Sequence, residues 1–518
     1  MTRDQLSELQ RRRSASALPA ADEPRISRLA GGLRTAKADA FDALFVIVPE
    51  GATAAQLAML PEPARWQRLN ARTKARAGAV RSTTLANAGQ TLAVLGYCRQ
   101  DASAFEKLAV AGRMLKEGAS RGTHSVGLAV LGGSAQVELG LEALLAAALA
   151  QSFALPDYRG TREEAGRIRR IMLCGNEPID LAYARAAARG NNLARWLTAL
   201  PPNVLEARAY RRIIQKLCRG AGIAVRFLDE RTLRRLGANA FLAVSAGNAE
   251  RNAVIAHLKY RPARRRTARA DVALVGKGIL FDTGGTNLKS HRSMLHMHID
   301  MAGSAVALAT LLALAELRAP IAADAWLAIT DNRIGPTAYC PQEVVRAANG
   351  VTIQVIHTDA EGRMVLADTL ALAGRTRPRL MLDFGTLTGA CVNALTERMS
   401  GIFTNRPALS DALLEAGRAS GERVWTFPFD ADFDSDLESE VADILQCAIE
   451  GKGDHILAAR FLSRFVPKET AWVHVDLAAA QRTGGLGHIN TDITGFGVRY
   501  TLELLLGRKI LKQTAARA

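Results

Sequence analysis

The chain has 518 residues, 48% hydrophobic and 23% charged, with no repeats or low-complexity tract, which suits a soluble globular protein of two or three domains. Its six cysteines, Cys98, Cys174, Cys218, Cys340, Cys391 and Cys447, are scattered without a CxxC pair. Neither a disulfide framework nor a thiolate zinc site is expected, and a reducing compartment, the cytoplasm, fits best. The net charge of +17 is spread along the chain, and the sparse aromatic residues do not interleave with it. This reads as an Arg-rich solvated surface, with DNA as the alternative partner.

Residues 1–25 are polar, lack the apolar run of a secretory signal and are expected to form a flexible N-terminal segment. A smaller N-terminal α/β domain is expected over 26–181, where strand-like runs at 43–48, 91–95 and 126–131 alternate with Ala-rich helical stretches. The most apolar run, 139–155, is interrupted by Glu142 and Gln151 and reads as a buried helix, not a membrane span. Residues 182–200 read as a helix stopped by Pro201-Pro202-Asn203, and the domain boundary is placed just before it. A larger C-terminal domain, 182–518, offers strand candidates at 223–228, 272–275, 325–329, 351–356, 379–383 and 472–476, with helical segments such as 302–317 and 364–373 between them. The fold class expected is α/β: two domains, the larger with a mixed central sheet flanked by helices.

Two stretches carry the candidate chemistry. One is Val275-GKGILFDTGGTNLK-Ser290, where a strand-like start runs into glycines and presents Lys277, Asp282 and Lys289. The other is HTDAEGRMVLADTL, residues 357–370, which puts Asp359, Glu361 and Arg363 on alternate positions between a strand-like run and an Ala/Leu-rich helix. Asp300 stands before a third apolar helix. Turns of this kind lie at the carboxyl ends of strands, where ligands bind in open α/β sheets. If the four carboxylates converge, their repulsion calls for cations, and oxygen donors suit Mn²⁺, Mg²⁺ or Zn²⁺. Taken singly, each residue also has a plain reading: Asp300 as a helix N-cap, Asp359 and Glu361 as partners of a helix dipole, Lys277 at a surface turn, Lys289 and Arg363 in ion pairs.

Together the two stretches resemble the paired signature of the leucyl aminopeptidase family of cytosolic dinuclear metallopeptidases. Further similarity runs through Arg195–Asn203, Asn332–Gly335, Thr386–Ala390 and Trp472–Ala478. The resemblance implies a metal-dependent aminopeptidase, a hydrolase that removes leucine and similar N-terminal residues from peptides. It implies two divalent ions per subunit: Lys277, Asp282, Asp300 and Glu361 around one, and Asp282, Asp359 and Glu361 around the other. Lys289 would polarise the scissile carbonyl, and Arg363 would hold a bicarbonate serving as general base. Met297 and Thr386 would shape the pocket for the first side chain. A homohexamer, built as a dimer of trimers, is also implied. The chain departs from the family pattern at Thr283, at Thr286-Asn287, at His296 and His298, at His357 and at Gly385, where Ala is common. None of these removes a ligand.

Overall fold

In a strand covered on both faces, successive side chains enter two different cores. The run Ala43-Leu-Phe-Val-Ile-Val-Pro does this: Ala43, Phe45 and Ile47 join one apolar cluster, and Leu44, Val46 and Val48 the other. It forms a central strand of the N-terminal sheet. This computed structural model describes residues 23–29, 35–72, 75–119, 122–159, 167–175, 178–265 and 269–514. The expected flexible segment lies outside the described residues up to residue 22; Arg25 already belongs to a strand.

The N-terminal sheet contains β1 (Arg25–Leu29), β2 (Ala43–Pro49), β3 (Val80–Thr84), β4 (Leu92–Cys98), β5 (Ser125–Val130) and β6 (Arg170–Cys174), in the order β1-β6-β5-β2-β4-β3. All neighbours are parallel except the edge pair β3 and β4. The helices Ala104–Ala119 and Ser134–Gln151 cover one face. The second contains most of the apolar run read as a buried helix, and residues 143–150 are all buried in the protein interior.

The C-terminal strands are β7 (Ala224–Asp229), β8 (Val254–Tyr260), β9 (Val272–Asp282), β10 (Ala323–Asn332), β11 (Val344–Arg346), β12 (Thr352–Gln354), β13 (Leu380–Gly385), β14 (Ser400–Thr404), β15 (Val424–Thr426), β16 (Ile444–Leu445) and β17 (Ala471–Asp476). Eight of them form the main sheet, ordered β15-β14-β17-β13-β9-β10-β8-β7. The four central strands, β17, β13, β9 and β10, run parallel, so their carboxyl ends open on one side. The pairs β10/β8, β8/β7 and β14/β17 are antiparallel, which makes the sheet mixed as expected. The helices Leu181–Thr198 and Ala302–Glu316 pack on one face and Glu361–Gly374 on the other. Each Leu, Ile or Val buried this way contributes roughly 1.5–3 kcal/mol.

One expected strand belongs elsewhere. Residues 351–356 do not enter the main sheet; only Thr352–Gln354 is strand, and it pairs with β11 and β16 in a separate three-stranded sheet. The reason is visible in the sequence. Thr352 and Gln354 alternate with buried Ile353 and Val355, so only one face is apolar, whereas β9 and β13 are apolar on both.

The two units touch through polar and aromatic contacts. Asn490 Nδ2 donates to Gly112 O (2.9 Å), and Arg499 pairs with Glu142 (2.9 Å). The Arg423 guanidinium sits 3.8 Å from the centre of the Phe105 ring.

Candidate metal centre

Strand β9 carries Lys277 into the interior and Asp282 to its own end. The glycines on either side of Lys277 have a packing reason. A Cβ on Gly276 would lie 2.5 Å from the backbone of Ser304, and one on Gly278 would lie 2.6 Å from Ala328 O. Without them, the start of the Ala302–Glu316 helix rests directly on the strand, which brings Asp300 to Lys277. Beyond Asp282 the chain turns through Gly284 and Gly285, at φ 89° and 66°, a region that favours glycine. Lys289 N donates to Thr283 O (2.9 Å), closing the loop and returning the Lys289 side chain to the cluster.

The second stretch arrives from the opposite face. Asp359 lies in the short turn Thr358–Ala360, and Glu361 and Arg363 occupy the first turn of the Glu361–Gly374 helix. Thr358 lashes the two stretches together. Its hydroxyl donates to Gly284 O (2.6 Å) and accepts from Asn287 N (2.8 Å). Gly362 leaves room for the end of Lys277, whose Cε and Nζ would lie 2.6 Å from a Cβ there.

Six of the expected residues meet. Lys277 Nζ lies 2.8 Å from Asp300 Oδ1 and 2.9 Å from Glu361 Oε1, and donates to Thr386 O (3.0 Å). Lys289 Nζ lies 2.9 Å from Asp282 Oδ2 and 2.5 Å from Asp359 Oδ1. Asp282, Asp359 and Glu361 each bring a carboxylate oxygen within 4.8 Å of the others. Thr386 also takes part: its hydroxyl donates to Asp300 Oδ1 (2.6 Å). Met297 is half-buried and opens the turn Met297–Ile299 leading into Asp300.

Four carboxylates face two ammonium groups here, leaving two negative charges uncompensated in a buried site. Burial, and then the Asp282 charge, push the Glu361 carboxyl up to about 8, against the pull of Lys277. Burial likewise lifts Asp300 to about 6, with Lys277 opposing and Asp282 assisting. Asp359 is raised by burial and Asp282 against Lys289. Burial works to strip Lys277 of its proton, but Asp300, Glu361 and Asp282 outweigh it and hold the ammonium. These shifts describe a site short of positive charge.

Divalent cations fit that shortage. Asp300 Oδ2 and Glu361 Oε2 are buried without a hydrogen-bond partner, and such atoms are costly unless something binds them. The donor set is hard oxygen with a single amine, suited to Mn²⁺, Mg²⁺ or Zn²⁺.

Arg363 stands apart from the cluster. Positions two apart on a helix point in different directions, and Arg363 turns to other partners than Glu361 does. The buried guanidinium sends NH2 to both oxygens of Asp454 (2.8 and 2.9 Å) and NH1 to Gln446 O (3.3 Å). His357 accepts from Asp359 N (3.3 Å) and so braces the turn.

Two contributors went unassigned in the sequence reading. Asn332 Nδ2 donates to Asp282 Oδ1 (2.8 Å) and to Thr358 O (3.1 Å), fixing the orientation of the Asp282 carboxylate. It sits opposite Asp282 in the β9/β10 register. Asp454 has no nearby sequence signal at all. A cavity of about 740 Å³ lies elsewhere, lined among others by Leu149, Phe153, Arg185, Arg189 and Leu312, and none of the site residues lines it.

Carboxylates and lysines converging at the open ends of a parallel sheet define a divalent-cation centre of the hydrolytic kind. Comparison with known proteins agrees. Residues 192–502 match the catalytic domain of the cytosol aminopeptidase family. A probable cytosol aminopeptidase of Chlorobaculum tepidum is 36% identical over 359 residues, 68% of this chain and 70% of that protein. One from Synechococcus sp. strain CC9605 is 36% identical over 82% of this chain and 88% of its own. Among solved structures, the bottromycin maturation enzyme BotP in complex with Mn superposes with a TM-score of 0.79 at 30% identity, covering 91% of this chain and 99% of that one. A tomato leucine aminopeptidase mutant shares the fold, with a TM-score of 0.82 at 24% identity over 94% and 98% of the two chains. The chain belongs to the cytosol aminopeptidase family. It is a metal-dependent aminopeptidase.

Proposed function

We propose that the chain removes leucine and similar N-terminal residues from peptides at a centre holding two divalent ions. The observation that carries this reading is the pair of partnerless buried oxygens, Asp300 Oδ2 and Glu361 Oε2, within an undercompensated carboxylate cluster. Lys277, Asp282, Asp300 and Glu361 would hold one ion. Asp282, Glu361 and Asp359, the last also through its backbone carbonyl, would hold the other. Bound there, the ions supply Lewis acidity and a nucleophilic water at neutral pH. Manganese is the first choice, since the related BotP structure is a complex with Mn; zinc and magnesium suit the same donors.

The chain's own residues do the rest. Lys277 gives up its proton when it serves as a ligand, because the positive charge its carboxylate neighbours demand then comes from the ions. Lys289 keeps its protons and presents its Nζ to the carbonyl oxygen of the scissile bond, where negative charge develops. Asn332 fixes the orientation in which the Asp282 carboxylate would hold a metal ion. Thr386 holds Asp300 and, with Met297, faces the first side chain of the substrate. Arg363, to which a bicarbonate would bind, holds Asp454 on its NH2 (2.8 and 2.9 Å).

We place the boundary between the two domains just before the Leu181–Thr198 helix, which packs on Ala302–Glu316 in the C-terminal core. A homohexamer in the cytoplasm is the assembly and location we propose, and a monomer in light scattering would contradict the first. No observation favours the DNA-binding alternative.

The test is hydrolysis of leucine p-nitroanilide and Leu-Gly after Mn²⁺ loading. Wild type should be active, Glu361→Ala inactive, and N-acetylated substrates untouched. Wild-type protein that binds metal yet releases no amino acid from any unblocked peptide would overturn the reading.

A further inference from the structure

We infer that Asp454 is the resident anion of Arg363, seated where a small oxyanion would otherwise bind, so that this enzyme works without bicarbonate. The inference rests on the peptidase reading above.

A guanidinium as buried as that of Arg363 is costly without a counter-charge. Its side chain is 3% exposed, and that of Asp454 is 25% exposed. The carboxylate is the more exposed member of the pair. Both carboxylate oxygens bind NH2, at lengths typical of charge-assisted hydrogen bonds. NH1 donates to Gln446 O (3.3 Å), and Nε is the one guanidinium nitrogen without a partner. With Asp454 on NH2 and Gln446 O on NH1, a planar oxyanion gripping both terminal nitrogens would have to compete with both partners.

The surrounding chain holds Asp454 in this seat. It opens the Asp454–Ser463 helix directly after Gly453, whose φ of 62° makes the bend into that helix. Gln446, whose carbonyl takes NH1, is itself tied to the metal turn. Its Oε1 accepts from Ile356 N and His357 N, both at 3.0 Å, and its Nε2 donates to Ala360 O (3.1 Å). The Arg363–Asp454 pair is thus clamped to the turn that carries Asp359 and Glu361. In this role Asp454 is a positioning residue, acting through Arg363.

The experiment follows the rate against bicarbonate concentration in wild type, Asp454→Ala and Asp454→Asn, with formate as a second small oxyanion. The wild-type rate should be flat. The Ala variant should lose at least about tenfold in kcat with KM little changed, then recover saturably as bicarbonate or formate fills the vacated seat. The Asn variant, which keeps the side-chain size, should lose rate in the same sense and carries the test if the Ala variant does not fold. A readout independent of turnover is thermal denaturation of the metal-free proteins, in which bicarbonate or formate should raise the Tm of the Ala variant and leave wild type unmoved. Saturable stimulation of wild type by bicarbonate would overturn the inference, as would an anion-dependent rise in its Tm. So would variants that respond to neither anion. If no protein hydrolyses any peptide, the peptidase reading fails, while the Tm comparison still decides whether Asp454 fills the anion seat.

Discussion

Gly362→Ala is a severe test of the Lys277 geometry, because one added methyl group should damage catalysis while sparing the fold. A Cβ at position 362 would lie 2.6 Å from Lys277 Cε and Nζ and 2.9 Å from Leu387 Cδ1. Ordinary contact begins near 3.4 Å, so the end of Lys277 must retreat by roughly an ångström. That end is a flexible amine, and its retreat costs the fold no more than about 1 kcal/mol, near the low end for overpacking. Replacing a helical Gly by Ala returns roughly 0.5–1 kcal/mol, so the net change in stability is close to zero. The functional cost is different in kind. Lys277 Nζ is the group that meets Asp300 and Glu361, and misplacing a positioned group by an ångström costs on the order of 10²-fold in rate. Gly385→Ala is the control. A Cβ there meets Leu366, Leu387 and Lys277 Cβ at 3.5–3.7 Å, ordinary contact, at a non-positive φ. It should leave kcat within about twofold of wild type, and it would explain why Ala is common at this position in the resembled family. The assay is kcat and KM on leucine p-nitroanilide with Tm by calorimetry and Mn²⁺ affinity by titration. Wild-type kcat in a folded Gly362→Ala protein would refute the assigned role of Lys277.

Three further outcomes are expected. Lys289→Ala should lower kcat by about 10²–10³-fold with little change in KM, because its ammonium is assigned to charge that develops only in the transition state; steady-state kinetics decides this, and a pure KM effect would contradict it. Asn332→Ala leaves Asp282 Oδ1 with only its bond from Gly284 N (2.8 Å) and should weaken Mn²⁺ binding by about 10–100-fold in calorimetric titration. Glu422 is buried and accepts from Gly497 N (2.9 Å) and Tyr500 N (2.8 Å), and burial pushes its carboxyl from 4.5 up to about 7. Between those values the folded state holds the extra proton, so this group's contribution to stability falls as pH rises and its cost is complete above pH 7. Gln keeps an oxygen for both bonds without the charge, so Glu422→Gln should gain on wild type by on the order of 3 kcal/mol between pH 5 and 8 in urea denaturation; an equal pH slope in both proteins would be the contrary result.

Much of this architecture could be read from local pattern. The central strands announced themselves as runs apolar on both faces, such as Val272–Val275 in β9 and Leu380–Leu382 in β13, and their helices by length. The run 351–356 was equally strand-like but misassigned, although its alternation of Thr352 and Gln354 with Ile353 and Val355 pointed to one-sided burial. Three-residue strands such as β15 pair because of tertiary context and carry no pattern of their own. The glycines at 276, 278 and 362 stood in the quoted stretches, but their purpose, admitting a helix start and a lysine tip, emerges only with their neighbours in place.

The triplet Asp359, Glu361, Arg363 shows where local reading stops. Alternate spacing suggests one shared face, as on a strand, yet the helix begins at Glu361 and turns Arg363 away from it. Arg363 then meets Asp454, 91 residues later, and no periodicity could have joined them. The same convergence explains why the carboxylates tolerate one another. Neither Lys277 nor Lys289 alone balances its neighbours, and Asp300 and Glu361 are left with partnerless buried oxygens. A fold keeps such a deficit only if something in its working state removes it, and divalent cations do so with the donors already in place. Arg363 shows the opposite condition: Asp454 supplies its counter-charge from within the chain.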